Sequence, residues 1–262
     1  RSSLDWSTWE VFQWELNTVD PDLSGDFGKL MSWADKYKRL QIKTNADTPR
    51  DAAKAIEFWA EWIGLCRTEH MFFEETRIQA VREMIVAKET TERVKALDKI
   101  EPYQKQDFVD LFKILEGKPM IIRLIDPPLH EFLPQEEKDI EFVAREINVT
   151  VDELKATIAD LHEFNPMLGF RWCRLGVRYP EITRMQARAI FKAALEVEWA
   201  QPWIEIPLVW NAIEYRMLKD IILEVADELW ANGRVNYKIG SMIEVPRAAI
   251  TADQFAGECD RS

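Results

Sequence analysis

Long apolar runs are missing from this chain. No uninterrupted hydrophobic segment of its 262 residues approaches the ~20 needed to cross a bilayer, and the start, Arg1-Ser2-Ser3-Leu4-Asp5-Trp6, lacks the apolar core of a signal peptide. Cysteine is scarce too: Cys66, Cys173 and Cys259 are an odd number with no close pair, which speaks against a disulfide framework and for reduced thiols in a cytoplasmic setting. The three histidines, His70, His130 and His162, have no His-x-x-x-His spacing, so a zinc site is not expected. Positive charge is in deficit, 34 basic against 46 acidic residues for a net −12, which argues against nucleic acid or anionic membrane as partners. Any anion site must then be local, built by a few aimed arginines. Neither Gly-x-Gly-x-x-Gly nor a Walker loop is present, so no nucleotide cradle is legible. No low-complexity linker or internal repeat marks a second domain.

What remains is ordinary globular composition, 47% hydrophobic and 31% charged, at the size of one large α/β domain. The central stretch is Trp62-Ile-Gly-Leu-Cys66-Arg67-Thr68-Glu69-His70-Met71-Phe72-Phe73. It opens as a short apolar strand and ends in a cation, a hydroxyl, a carboxylate and an imidazole. In a parallel α/β sheet, ligands bind where such groups gather at the carboxyl ends of strands.

Along the chain, residues 1–22 read as an irregular or β-hairpin lead-in to a domain over 23–262. Ser24 caps a helix to about Leu40, and 41–45 is a short strand. Thr48-Pro49-Arg50-Asp51 opens a helix to about Glu61, with a capping hydroxyl, proline at the first position and an acid three residues after the cap. Residues 74–115 should be two helices broken at Pro102. Helices are expected over 135–147, over 151–163 behind the capping box Thr150-Val-Asp-Glu153, over 182–197 and over 212–230. Strands are expected near 41–45, 62–66, 119–125, 168–175, 204–209 and 237–245. Alternating strands and helices of this kind point to a parallel sheet.

Arg67, Arg123 and Glu244 fall in or at the ends of three different strands. Parallel neighbours would bring them to one rim, where two guanidiniums suit a phosphate or carboxylate and the acid could hold a divalent cation. The blander alternative pairs each arginine with a nearby acid, Arg67 with Glu69 for instance, and leaves Glu244 on the surface. Cys66 and Cys173, although close to arginines, read as small buried fillers. Of the histidines, His70 is the best functional candidate.

Longer motifs add a resemblance. Gly64–Phe73, Arg123-Leu-Ile-Asp126-Pro-Pro-Leu-His130-Glu131-Phe132-Leu133-Pro134, Asn165-Pro-Met-Leu-Gly169 with Cys173-Arg-Leu-Gly176, Tyr179-Pro-Glu-Ile182 and Ile239-Gly-Ser-Met-Ile-Glu244-Val-Pro-Arg-Ala-Ala249 closely resemble the phosphoenolpyruvate/pyruvate-binding domain of the pyruvate phosphate dikinases. Leu23–Gly28 and Thr44–Pro49 fit the same family, and the match covers nearly the whole chain. Cys66-Arg-Thr-Glu-His-Met71 favours the dikinases over relatives such as enzyme I of the sugar phosphotransferase system. The resemblance implies a (β/α)₈ TIM barrel, with about six of its strands within this sequence. Its rim would pass a phosphoryl group between a phosphohistidine on a swivelling domain and pyruvate. In the full enzyme, ATP, pyruvate and phosphate give AMP, phosphoenolpyruvate and diphosphate. It further implies that Arg67 and Arg123 bind substrate and serve catalysis, that Glu244 holds Mg2+, and that the phosphohistidine domain and a second copy of the chain are partners.

The sequence also departs from the family. The family's next two strands, with an Asn-Asp pair and a proton-donating cysteine, lie past residue 262, and Cys259 does not match that cysteine's motif. Tryptophan stands at 6, 9, 14, 59, 62, 172, 210 and 230 where the family usually has glycine, and Glu205 occupies an apolar strand position. Trp172 and Trp210 are expected to crowd the rim. These departures keep open a second reading, a non-catalytic or engineered barrel scaffold that binds partners through its tryptophans. Another phosphoenolpyruvate-utilising phosphotransferase is a third. A sheet of six strands would leave two edges to be covered by other strands or to aggregate.

Overall fold

The structure, a computed structural model, describes residues 2–5, 8–14, 16–17, 24–162, 165 and 171–260, in two compact units, Arg1–Gln41 and Ile42–Ser262. In the first unit, β1 (Ser3–Leu4) and β2 (Val11–Phe12) form an antiparallel hairpin. Its turn is closed by the Asp5 N–H on the Glu10 carbonyl at 2.9 Å and the Trp9 N–H on the Asp5 carbonyl at 2.7 Å. Helix α1 (Gly25–Tyr37) follows its Ser24 cap and stops short of Leu40.

The second unit is built on a parallel sheet. The chain runs β3 (Lys43–Asn45), α2 (Pro49–Glu57), β4 (Trp62–Arg67), a 3₁₀ turn (Thr68–Phe72), α3 (Glu75–Val86), α4 (Thr90–Leu115) and β5 (Met120–Arg123). A second 3₁₀ turn (Leu129–Phe132), α5 (Glu137–Glu146), α6 (Val151–Leu161), α7 (Trp172–Arg178) and α8 (Pro180–Glu196) come next. Then follow β6 (Pro202–Ile206), α9 (Ala212–Glu228), β7 (Lys238–Ser241), α10 (Pro246–Ile250) and α11 (Asp253–Ala256). The sheet order is β3-β4-β5-β6-β7, all parallel, so each strand is laid beside the one before it. That is the order of a barrel wall.

Alternation along the strands sorts the two faces. Ile63, Cys66, Met120, Ile122, Ile204, Ile206 and Ile239 are fully buried in the core shared with the helices. Their neighbours on the other face are Gly64, Ile121, Arg123, Trp203, Glu205 and Gly240. A bulge between Ile63 and Cys66 resets the β4–β5 register so that Arg67 comes level with Arg123. Gly64 is obligatory here, because a Cβ would sit 2.8 Å from that of Lys43 on β3.

Two expectations are corrected. The strand anticipated at 168–175 is helix α7 from Trp172 onward, while 166–170 lie outside the described residues. Burial falls on Cys173, Leu175 and Gly176, which is no strand alternation. A Cβ at Gly176 would come within 2.9 Å of Leu218 on α9 and of Thr183 on α8, so this turn of helix presses closely on both. The break between α3 and α4 is at Ala87–Glu89, where Glu89 and Glu92 form a capping box, and not at Pro102. Pro102 lies inside α4 on its exposed side, and Asp98, whose carbonyl loses its helical donor, is also exposed.

Helices α4 and α8 are clamped by buried charge. Arg93 pairs with Glu181 at 2.9 Å, donates to the Ala87 carbonyl at 2.7 Å and lies 3.9 Å over the Tyr179 ring. Glu101 accepts from both Arg188 and Lys192, each at 2.6 Å.

Three helix ends share one geometry, and tryptophan occupies two of them. After α2, α5 and α9, the residues Trp59, Asn148 and Trp230 take φ of 64, 57 and 55°. Their neighbours Ala60, Val149 and Ala231 donate back to the Ala55, Ala144 and Ala226 carbonyls at 3.0, 3.0 and 2.8 Å. This is the Schellman arrangement, whose left-handed residue is glycine wherever sterics decide. Trp9 adopts φ 62° in the hairpin turn. The backbone at 9, 59 and 230 therefore takes a conformation that glycine adopts freely and an indole does not, at a cost of about 1–2 kcal/mol per residue. Trp230 is 78% exposed, so little packing offsets that strain. Trp230→Gly should stabilise the protein by about 1 kcal/mol, a melting-temperature rise of roughly 2–4 °C, whereas Trp230→Ala, which keeps a Cβ, should gain much less. Calorimetric melting of both variants checks this.

Candidate functional site

The rim is built from the carboxyl end of the sheet upward. Arg67 at the end of β4, Arg123 at the end of β5 and Glu205 on β6 stand at one level in register, so their side chains leave the same face. The backbone there is fixed by side chains of remote elements. Asp47 accepts the Arg67 N–H at 2.6 Å and contacts His70 Nδ1 at 2.7 Å, tying the loop after β3 to the turn after β4. Gln186, fully buried on α8, accepts the Ile125 N–H and donates to Thr68 Oγ1, both at 3.0 Å, and that hydroxyl donates to the Arg123 carbonyl at 2.9 Å. One glutamine thus locks the ends of β4 and β5 together.

Arg123 is held by two acids and little hydrated, with 12% of its side chain exposed. Its Nη2 pairs with Glu69 and its Nη1 with Asp126 at 3.0 Å. The same Asp126 oxygen takes Arg171 Nη2 at 3.1 Å, and the Asp126 carbonyl takes Arg171 Nε at 3.1 Å. The charges therefore alternate through Glu69, Arg123, Asp126 and Arg171. Glu69 Oε2, Arg123 Nε and Asp126 Oδ1 are buried without a hydrogen-bond partner among the described residues. Burial pushes the Glu69 carboxyl up, against the pull of Arg123. Arg67 makes no ion pair among the described residues and keeps partial exposure; Glu69 pairs with Arg123 rather than with Arg67.

Glu244 lies three residues past β7. Its Oε1 accepts the Leu208 N–H at 2.8 Å, at a residue whose φ is 53°. With Asn45, Gly64, Leu65, Ile121, Glu205 and Met242 it lines a cavity of about 460 Å³ on the inner face of the sheet. A cavity of similar size, about 480 Å³, opens elsewhere, beside Phe73, Arg82, Phe132 and Phe142, and none of the charged row lines it.

The other candidates resolve simply. Cys66 and Cys173 are buried, and that burial pushes both thiols well up, so neither is a ready nucleophile. His130 and His162, distant in sequence, meet with ring centres 5.7 Å apart. Trp210 lies beneath the Arg174 guanidinium at 4.9 Å, half-buried, and Trp62 meets Trp203 edge to face at 4.4 Å. Trp6 and the side chain of Trp172 lie outside the described residues. Among the described residues no group of three or more His, Cys, Asp or Glu could hold a metal by itself, and no helix is long and apolar enough to cross a membrane.

A sequence model of the family described as PEP-utilising enzyme, PEP-binding domain, matches residues 21–261. The chain belongs to this family. It is 46% identical to the pyruvate, phosphate dikinase of Clostridium symbiosum over 265 residues, covering 98% of this chain and 30% of that protein. It is 50% identical to the Rhizobium meliloti (strain 1021) pyruvate, phosphate dikinase, with the same coverage, and 48% identical to the chloroplastic pyruvate, phosphate dikinase 1 of Arabidopsis thaliana, covering 98% of this chain and 28% of that one. The chain thus spans about 30% of the length of these curated relatives.

Within this PEP-binding domain, several groups that fix the rim escaped the reading of the sequence. Asp126 was signalled by its place in an Asp-Pro-Pro turn three residues after Arg123. Gln186 was signalled as a polar interruption on the apolar face of α8, between Ile182, Met185 and Ile190. Asp47 had no such signal. Because Gln186 satisfies buried groups on both strands, Gln186→Leu should destabilise the domain by about 2–4 kcal/mol, seen as a lowered urea midpoint with an unchanged slope.

Proposed function

We propose that this domain carries the phosphoenolpyruvate/pyruvate half-reaction of a pyruvate phosphate dikinase. In this reading Arg67 and Arg123 bind the phosphate and carboxylate of the ligand, and Glu244 contributes to a Mg2+ site. The observation that carries it is the level pairing of Arg67 with Arg123 at adjacent strand ends, with Glu244 on the cavity at the same end of the sheet. Family membership and the dikinase relatives support the substrate class.

Phosphoryl transfer asks mainly for positioning and for neutralisation of charge on the transferred group. Arg123, pinned by two carboxylates, loses little freedom when it meets an anion. Arg67 brings a charge that no acid in the described residues cancels. Glu244 has one oxygen committed to the Leu208 N–H and a second open to a hard cation, which fits Mg2+, an ion held by one or two carboxylates together with substrate oxygens. Bound there, the ion would neutralise charge on phosphate and enolate oxygens. The phosphohistidine domain of the longer protein would deliver the phosphoryl group, ATP would be used elsewhere in that protein, a homodimer is the expected assembly, and the compartment is cytoplasmic.

Calorimetric titration with phosphoenolpyruvate, with and without magnesium, tests this reading. Arg67→Ala removes no ion pair and should leave folding intact while weakening binding by about ten- to a hundredfold. Glu244→Gln should abolish the magnesium dependence. Binding that is indifferent to both substitutions would overturn the assignment.

A further inference from the structure

We propose that Glu69 is a positioning residue that couples anion binding at Arg123 to the uptake of a proton. The inference rests on the reading of Arg123 as an anion ligand and adds a role for the carboxylate that holds it.

The two acids on Arg123 are not equivalent. Asp126 keeps a second cation, Arg171, through both its carboxylate and its carbonyl, so its charge stays compensated when Arg123 turns to a ligand. Glu69 has Arg123 as its one ion-pair partner among the described residues, with a backbone hydrogen bond beside it; its side chain is 7% exposed, and its Oε2 is buried without a partner. Asp126 adds negative charge near that carboxyl, and the remaining charged groups of the turn have partners of their own or lie on β4. Asp47 and His70 pair with each other, Arg77 of α3 is held by Asp107 of α4 and by the Met71 carbonyl, and Arg67 lies two residues back on β4. Gln186, reaching in from α8, is spent on Thr68 and Ile125.

An anion on Arg123 therefore brings a second negative charge beside a buried carboxylate that has a single cation to share. Like charge and burial both favour the neutral acid, and burial already pushes this carboxyl up. Solvent supplies the proton, and the neutral acid still accepts from Arg123 through one oxygen. Because ligand binding raises the affinity of Glu69 for a proton, affinity falls as pH rises through the range in which Glu69 ionises and levels off above it.

The test is calorimetry of the chain with phosphoenolpyruvate in two buffers of unequal ionisation heat at one near-neutral pH, repeated with Glu69→Gln. Glutamine keeps the shape and the accepting oxygen. Ionisation of the ligand contributes equally to both chains and cancels in their difference. The wild-type chain should take up more protons per ligand than the variant, by a fraction of one, and the variant should bind severalfold more tightly at neutral pH. Equal buffer dependence in the two chains overturns the role of Glu69 and leaves Arg123 as the anion ligand. Absence of binding in both overturns the two together. If Glu69→Gln does not fold, the wild-type chain decides alone, against the separately measured ionisation of the ligand: excess uptake supports the coupling and none refutes it.

Discussion

Arg123 is a cation taken almost out of water at the end of a strand, and the rim is arranged around what keeps it there. A buried unpaired charge is prohibitive, and a buried pair is tolerable only when both partners are well placed and hydrogen-bonded. Glu69 and Asp126 supply the charge from either flank, and Arg171 returns charge to Asp126. None of these pairings would survive if the ends of β4 and β5 slid past each other. That relative position is set by Gln186 and Thr68, which satisfy the Ile125 N–H and the Arg123 carbonyl. The electrostatics of the rim and the packing of α8 on the sheet are therefore one problem, solved by a helix that brings a single amide into an apolar face.

The same economy explains where the sequence was legible. Signals local to a few residues came through: the Thr48 and Thr150 caps are present, with Asp51 and Glu153 donating their N–H groups at 3.2 Å, and the apolar runs at 62–67 and 120–123 are strands. The rim pairing of Arg67 with Arg123 was also readable, because polar groups ending two buried strands have few other uses. Where the reading failed, a distant contact outvoted the local pattern. Trp172–Arg178 carries enough apolar residues for a strand, yet Gly176 is spent on close approach to α8 and α9. Pro102 should have stopped α4, but it fell on the exposed side, where a carbonyl that loses its helical donor is not buried. Partner choice was the least legible of all, since Glu69 is nearer to Arg67 in sequence and nearer to Arg123 in space.

The tryptophans separate into those that contradict the backbone and those that the fold absorbs. At 9, 59 and 230 the chain keeps left-handed φ with an indole in place, so the hydrogen bonds of the hairpin turn and the helix ends outweigh the residue's own preference. Trp62 and Trp203 instead meet edge to face on the inner side of the sheet, with Lys43 and Lys238 over their outer faces at 4.2 and 4.4 Å. That cluster fills the amino-terminal half of the inner face, away from the charged row. Trp210 lies under the Arg174 guanidinium. At the ends of α2 and α9 the tryptophans thus carry a conformational cost.

The net charge of −12 sets the remaining constraint. An anion approaching this surface meets a repulsive average field, so attraction must come from a few guanidiniums at short range. Acids that hold those guanidiniums in place also cancel them, and a rim with every arginine paired would have no affinity left. The arrangement resolves the conflict by division of labour: Arg123 is rigid and neutralised, Arg67 is neither, and Glu205 sits beside Arg123 on the next strand. On the proposed reading of Arg67 and Arg123 as anion ligands, a ligand carrying both a phosphate and a carboxylate would draw on the second guanidinium only by displacing charge from Glu69, so the pairing pattern itself would favour doubly charged ligands over single anions.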